Sequence, residues 1–178
     1  NIVSIEIEFR ANIGSDEEIN QFSDDLIQSV GLFRSEFIYI DKSSKPSLEE
    51  QIKINEKLSS KFNNDIVFRT LDIGGDKEVS YLNLPKEENP FLGVRGIRYS
   101  FKEQDLFREQ IISILKSSLI NKVKIMFPMV SILEEYLDAK EIVSEEAKKL
   151  GLETPPLGIM VETPAAAINA RNFADYVD

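Results

Sequence analysis

Two arginines and one glutamate stand where a parallel α/β chain keeps its chemistry, and a long stretch holding Arg95 and Arg98 can fold a further arginine over them. Arg34 follows the apolar run Val30-Gly31-Leu32-Phe33, and Arg69 follows Ile66-Val67-Phe68. Arg95 lies in the long stretch after Arg69, and Glu162 follows the apolar residues 157–161. A guanidinium is a planar fork of donors that grips phosphate or carboxylate oxygens. A carboxylate is a hard oxygen ligand suited to Mg²⁺. Together these groups suit a small phosphorylated anion held beside a metal ion. The densest stretch is Arg69-Thr70-Leu71-Asp72-Ile73-Gly74-Gly75-Asp76-Lys77. Its two glycines let the backbone approach a ligand closely.

Each member also has an ordinary reading. The stretch from Arg69 to Lys77 can be a plain strand-to-helix turn with solvated charges. Arg34 can pair with Glu36 at the surface, and Glu162 can be the counter-ion of an arginine. Asp72 and Asp76 read as metal ligands or as turn formers. Lys86-Glu87-Glu88 reads as a solvated face. Met126, Met129 and Met160 read as core filler.

The elements that would position these residues are legible from periodicity. Residues 2–11 alternate apolar and polar, which predicts a strand, with a turn at Asn12-Ile13-Gly14. Ser15 and Glu18 make a capping box before a short helix carrying Ile19, Phe22 and Leu26. Further strands are predicted at 30–33, 66–71, 123–128 and 157–161. Ser47 with Glu50, and Ser131 with Glu134, predict two more capped helices, the second stopping at Gly151. Thr163 caps a helix that has Pro164 at its first position and runs over 165–170. Between the third and fourth strands lie about thirty residues without periodicity, 73–99, and then a helical stripe from Leu106 to Leu119. A loop that long inside a domain is usually functional or disordered, and its aromatic residues argue against disorder.

Strand and helix thus alternate five times, which predicts a parallel sheet. In such folds ligands bind at the C-terminal ends of the strands, where Arg34, Arg69 and Glu162 fall at equivalent positions. No GxGxxG follows the first strand, so a dinucleotide site has no support.

Composition narrows the partners. The chain has 178 residues and a net charge of −10, which argues against nucleic acid and anionic membranes. Cysteine and histidine are both absent. That removes disulfides, thiolate chemistry and the commonest general base. No run reaches the roughly 20 apolar residues of a membrane span, and no signal peptide is visible. The cytoplasm is the default location. Both ends read as cut from something longer.

Gly31-Leu32-Phe33-Arg34-Ser35-Glu36-Phe37 and Arg69 to Glu78 together resemble Enzyme I of the sugar phosphotransferase system, the phosphoenolpyruvate–protein phosphotransferases. So do residues 81–93, which end in Asn89-Pro90-Phe91-Leu92-Gly93, and Val161-Glu162-Thr163-Pro164-Ala165-Ala166-Ala167. The similarity runs almost end to end. Pyruvate phosphate dikinase and phosphoenolpyruvate synthase are relatives with a similar barrel, but the stretch after Arg69 fits Enzyme I better.

The resemblance implies a (β/α)₈ TIM-type barrel of which residues 1–178 are the first five βα units. It implies phosphoenolpyruvate bound with Mg²⁺ at the barrel's top face. Arg34 and Arg69 match the arginines that hold the phosphoryl group, Arg95 matches a further active-site arginine, and Lys77 would lie near the site. Glu162 matches one of two Mg²⁺ ligands. The other ligand and the residue that protonates the product would lie beyond residue 178, leaving no catalytic residue within the chain itself. The phosphoryl group would pass to a histidine on a separate domain and then to the histidine-containing phosphocarrier protein. The intact protein would be a homodimer. The alternatives are a dikinase-type domain, or a non-catalytic dimerisation piece. An open sheet taken from a barrel would leave its outer strands unpaired and prone to association.

Overall fold

Five apolar runs become strands, each followed by a helical segment. A computed structural model describes residues 7–21, 27–40, 42–74, 79–82 and 84–178. The strands are β1 (Phe9–Ile13), β2 (Ile27–Arg34), β3 (Ile66–Arg69), β4 (Val123–Phe127) and β5 (Leu157–Ile159). All neighbours run parallel, in the order β1-β2-β3-β4-β5. Among the described residues the helices are α1 (Asp16–Gln21), α2 (Leu48–Lys61), α3 (Ile97–Lys102), α4 (Gln104–Ser117), α5 (Leu133–Leu150), α6 (Pro164–Ile168) and α7 (Ala170–Phe173). A 3-10 turn occupies Ser35–Ile38.

With strands in sequential order, right-handed crossovers put every connecting helix on one side of the sheet. Side-chain burial follows. Phe33, Phe68, Ile125 and Leu157 occupy matching register positions on the helix side, and all are buried. Phe107 of α4 and Tyr136 of α5 close over Phe127, with ring centroids 6.3 and 6.2 Å away in edge-on contact. The opposite face carries Arg34, Arg69, Met126 and Gly158 in register. Of these only Arg69 is buried. The sheet is therefore an α/β layer with one face covered and one largely bare.

The caps explain where the helices begin and end. Ser47 Oγ accepts the Glu50 amide at 3.2 Å and Glu50 accepts the Ser47 amide at 2.8 Å, a complete capping box. Thr163 Oγ1 accepts the Ala166 amide at 3.1 Å behind Pro164. Gly151 ends α5 at φ 68°, where a side chain would be strained.

Several expectations change. β1 continues through Asn12 and Ile13, so the turn falls at Gly14-Ser15. Its apolar alternation is not all core: Ile7 and Phe9 are 73% and 63% exposed, because only β2 lies beside β1. Helix α5 starts one residue later than expected. Glu135, not Glu134, reaches back to accept the amides of Ser131 and Ile132 at 2.7 and 3.2 Å. The stretch 73–99 ends in α3 rather than in loop, and the last helix breaks at Asn169 before α7. Phe22, Leu26 and the strand residues 2–6 lie outside the described residues.

Candidate functional site

Arg34 and Arg69 are the last residues of β2 and β3, and they are register partners. Adjacent parallel strands hold their side chains on the same face of the sheet. Arg34 is exposed, and its guanidinium lies over Gly14, where an added Cβ would collide with it. It makes no hydrogen bond or ion pair among the described residues.

Arg69 is held from two sides. Its Nη2 donates to Glu36 Oε1 at 2.7 Å, and its Nη1 sits 3.5 Å from Asp72 Oδ2. Nη1 also approaches Met160 Sδ, at the exit of β5, at 3.7 Å. Both carboxylates are buried, at 5% and 5% exposure. Glu36 Oε1 accepts the Asp72 amide as well, at 3.0 Å. Asp72 in turn is gripped by Arg95, whose Nε and Nη2 donate to its two oxygens at 2.9 and 3.3 Å. Negative and positive groups thus alternate along Glu36, Arg69, Asp72 and Arg95. Within this order the Nε of Arg69 is buried without a hydrogen-bond partner among the described residues. Buried N–H groups rarely stay unmatched, and a ligand is one way to match them.

The long loop after β3 closes on itself at its neck. Gly96 N donates to Ile73 O at 3.2 Å, and Ile97 N donates to Pro128 O at 3.3 Å. Gly96 takes φ 55°, and a Cβ there would press on Met129 and Pro128. This neck turns Arg95 inward to Asp72, beneath the Phe91 ring at 4.6 Å. Glu87, expected on a solvated face, is instead half-buried and accepts the Val94 amide at 2.9 Å.

Glu162 is exposed two residues past Met160, and its Oε1 accepts the Met129 amide at 2.7 Å. It is neither arginine's counter-ion among the described residues. It leans across from the β5 exit to the β4 exit, where Met129 adopts φ 60°. Among the described residues no three carboxylates gather as a cation cage. The donors here fit Mg²⁺ as a one-carboxylate site, the kind that leaves remaining positions to substrate oxygens and water. Lys77, Gly75 and Asp76 lie outside the described residues.

The rim therefore holds Arg34 and Arg69 at neighbouring strand ends, with Arg95 turned in from the loop after β3 and Glu162 at the exits of β4 and β5. Sequence reading missed Glu36 and Asp72. The sequence offers Glu36 only as a surface partner for Arg34, and Asp72 as a turn former or metal ligand. A signal existed for Glu36, which is the lone carboxylate between Leu32-Phe33 and Phe37-Ile38-Tyr39. The three methionines are half-buried rather than core, and Met126 and Met160 face the same bare side as Arg69.

At the other end of the strands lies a hollow of about 1100 Å³, lined in part by Arg10, Asp65, Lys124, Leu119 and Pro155. Its charges neutralise one another. Asp65 is 3.0 Å from Arg10 Nη1 and 2.6 Å from Lys124 Nζ. Glu8 accepts from Arg10 at 2.8 Å and from Ser29 at 2.7 Å. Burial pushes the Asp65 carboxyl up, but the Lys124 and Arg10 cations outweigh it and hold it below its usual range. The Ser29 hydroxyl and the Arg10 guanidinium do the same for the exposed Glu8.

Comparison with known proteins identifies the family. Residues 3–178 match the family described as PEP-utilising enzyme, PEP-binding domain. The chain is 43% identical to the phosphoenolpyruvate-protein phosphotransferase of Mycoplasma capricolum, over 94% of the chain and 30% of that relative. It is 44% identical to the enzyme of that name from Staphylococcus aureus, over 98% and 32% respectively. A Bacillus relative of the same name is 42% identical over 98% and 31%. The chain thus spans about a third of the length of these relatives. Among the described residues no helix is long and apolar enough to cross a membrane.

Proposed function

The chain belongs to the PEP-utilising enzymes, in their PEP-binding domain, and on that premise we propose that its rim binds phosphoenolpyruvate with Mg²⁺ for phosphoryl transfer to protein. The observation that carries this reading is Arg69, fixed by two buried carboxylates with a buried N–H still unmatched. A fork locked in advance loses little freedom when an anion docks, so its donors act at full strength.

In this reading Arg34 and Arg69 hold phosphoryl oxygens from adjacent strands. Arg95 keeps Asp72 in place and so keeps Arg69 aimed. Lys77, outside the described residues, would add a further positive charge. Glu162 holds the metal, and the bound Mg²⁺ supplies neutralisation of charge on the phosphoryl oxygens. The chain's own part is positioning and charge stabilisation, which make up most of phosphoryl-transfer catalysis. The chain has no histidine, so a phosphohistidine would form elsewhere in the protein, on its way to the histidine-containing phosphocarrier protein. The sheet would be the first five units of a (β/α)₈ barrel, with residues 1–178 inside one domain. Sequential strand order and one bare face support that. The same reading makes the whole protein a cytoplasmic homodimer.

Thermal unfolding tests it directly. Phosphoenolpyruvate with MgCl₂, at about 100 times its Kd, should stabilise the protein by about 2.7 kcal/mol. Arg69→Lys should abolish the shift. A melting temperature that does not move with ligand and metal would end the reading.

A further inference from the structure

β2 and β3 part company just past their last rung. After Arg34 the chain enters a 3-10 turn, and after Arg69 it leaves for the long loop. The sheet ladder cannot hold the two exits together beyond that point. A helix side chain does so instead. Gln110 of α4 is 2% exposed, and its Oε1 accepts the Leu71 amide at 2.9 Å. Its Nε2 donates to Ser35 Oγ at 3.0 Å, and Ser35 donates to the Arg69 carbonyl at 2.9 Å. Ser35 and Leu71 are themselves 3% and 0% exposed.

Only one arrangement of protons satisfies this ring. The Leu71 amide is a donor, so it needs the oxygen of the amide group. The Arg69 carbonyl can only accept, so the Ser35 proton goes there. Ser35 Oγ is then an acceptor and needs the nitrogen end of Gln110. Glutamine is the side chain that offers both ends at this reach. Glutamate would supply no donor to Ser35, and the hydroxyl would turn to the carboxylate and leave the Arg69 carbonyl unmatched.

We propose that Gln110 is a positioning residue that sets the separation of Arg34 and Arg69 at the rim without touching the ligand. The ring clamps the residue after Arg34 to the carbonyl of Arg69 and the amide of Leu71, so both arginine-bearing backbones are fixed to one helix. An error of about 1 Å in such spacing costs on the order of a hundredfold in a reaction that depends on it. The proposal rests on the reading of the rim as a phosphoenolpyruvate site.

The test uses the full-length gene product with Gln110→Met, similar in volume but apolar, and Ser35→Ala, a smaller change that keeps the fold if the first does not. Calorimetry with phosphoenolpyruvate and MgCl₂, well below the melting temperature, should show affinity about tenfold weaker in each. The double variant should lose little more, because both cut one ring. Arg34→Lys should cost less in the Gln110→Met background than in the wild type. A lower melting temperature with affinity within twofold of wild type in both variants would overturn the proposal. If the wild type does not bind phosphoenolpyruvate, the functional reading fails, and ligand-free crystal structures decide the positioning. The Arg34–Arg69 Cα separation should then widen in Gln110→Met while Val30–Ile66, deeper in the ladder, stays fixed. An unchanged Arg34–Arg69 separation would sink the proposal on its own.

Discussion

At the N-terminal ends of the strands, Glu8, Arg10, Asp65 and Lys124 cancel one another beside an open hollow. At the C-terminal ends, Arg34 has no acidic partner among the described residues, and Arg69 keeps a buried N–H in reserve. Both ends are charged, and the N-terminal one carries a hollow of about 1100 Å³. The difference is in satisfaction, not in charge or volume. A network whose donors and acceptors all meet has nothing left to offer an anion, whereas a rigid donor set with an unmatched member does.

The largest separation between the two ends should appear in activity. Arg69→Lys in the full-length protein keeps a positive charge but loses the fork, and should lower phosphoryl transfer by about 10²–10³-fold. Asp65→Asn should leave the rate within twofold. Steady-state assays with phosphoenolpyruvate as donor read both, and equal losses would erase the distinction.

Stability should separate them next. Arg69→Ala strands Glu36 and weakens the hold on Asp72, at a cost of roughly 3–5 kcal/mol. The sequence alone suggests that this variant folds normally, since it shows no buried carboxylate behind the arginine. Asp65→Asn should cost less, about 1–3 kcal/mol. Urea unfolding measures the two, and a reversed order would show that the buried pair is the weaker of them.

The smallest effect is with acid. The Asp65 carboxyl is held below its ordinary range, so folded protein binds that proton more weakly than unfolded protein does. Its contribution is complete above about pH 4 and fades as pH falls through the lower folded value. Glu146 behaves alike. Burial pushes its carboxyl up, while Lys149 and Arg108 outweigh burial and hold it low. Urea midpoints between pH 5 and 2 should fall less steeply in Asp65→Asn than in wild type.

Much of the frame is legible in the chain. β3, β4, the Ser47 box, the Gly151 stop and the Thr163-Pro164 start depend on near neighbours, and near neighbours are what periodicity and capping report. The misread boundaries are those with two local candidates, such as Glu134 against Glu135, or a polar residue such as Asn12 inside a strand. At the rim, Arg34 and Arg69 show themselves by standing at strand ends, and Glu162 by following the apolar run 157–161. The pairing of Glu36 with Arg69 spans 33 residues and that of Gln110 with Ser35 spans 75. No local pattern encodes partners so far apart.

The sequential strand order has a consequence for assembly. Each strand docks beside the one synthesised just before it, so the growing sheet always presents a finished edge to the next arrival. The sheet can build itself in the direction it leaves the ribosome, with no early strand waiting for a late one to pair. The arginine-bearing exits of β2 and β3 would then be set early, ahead of the loop and helix that later lock them.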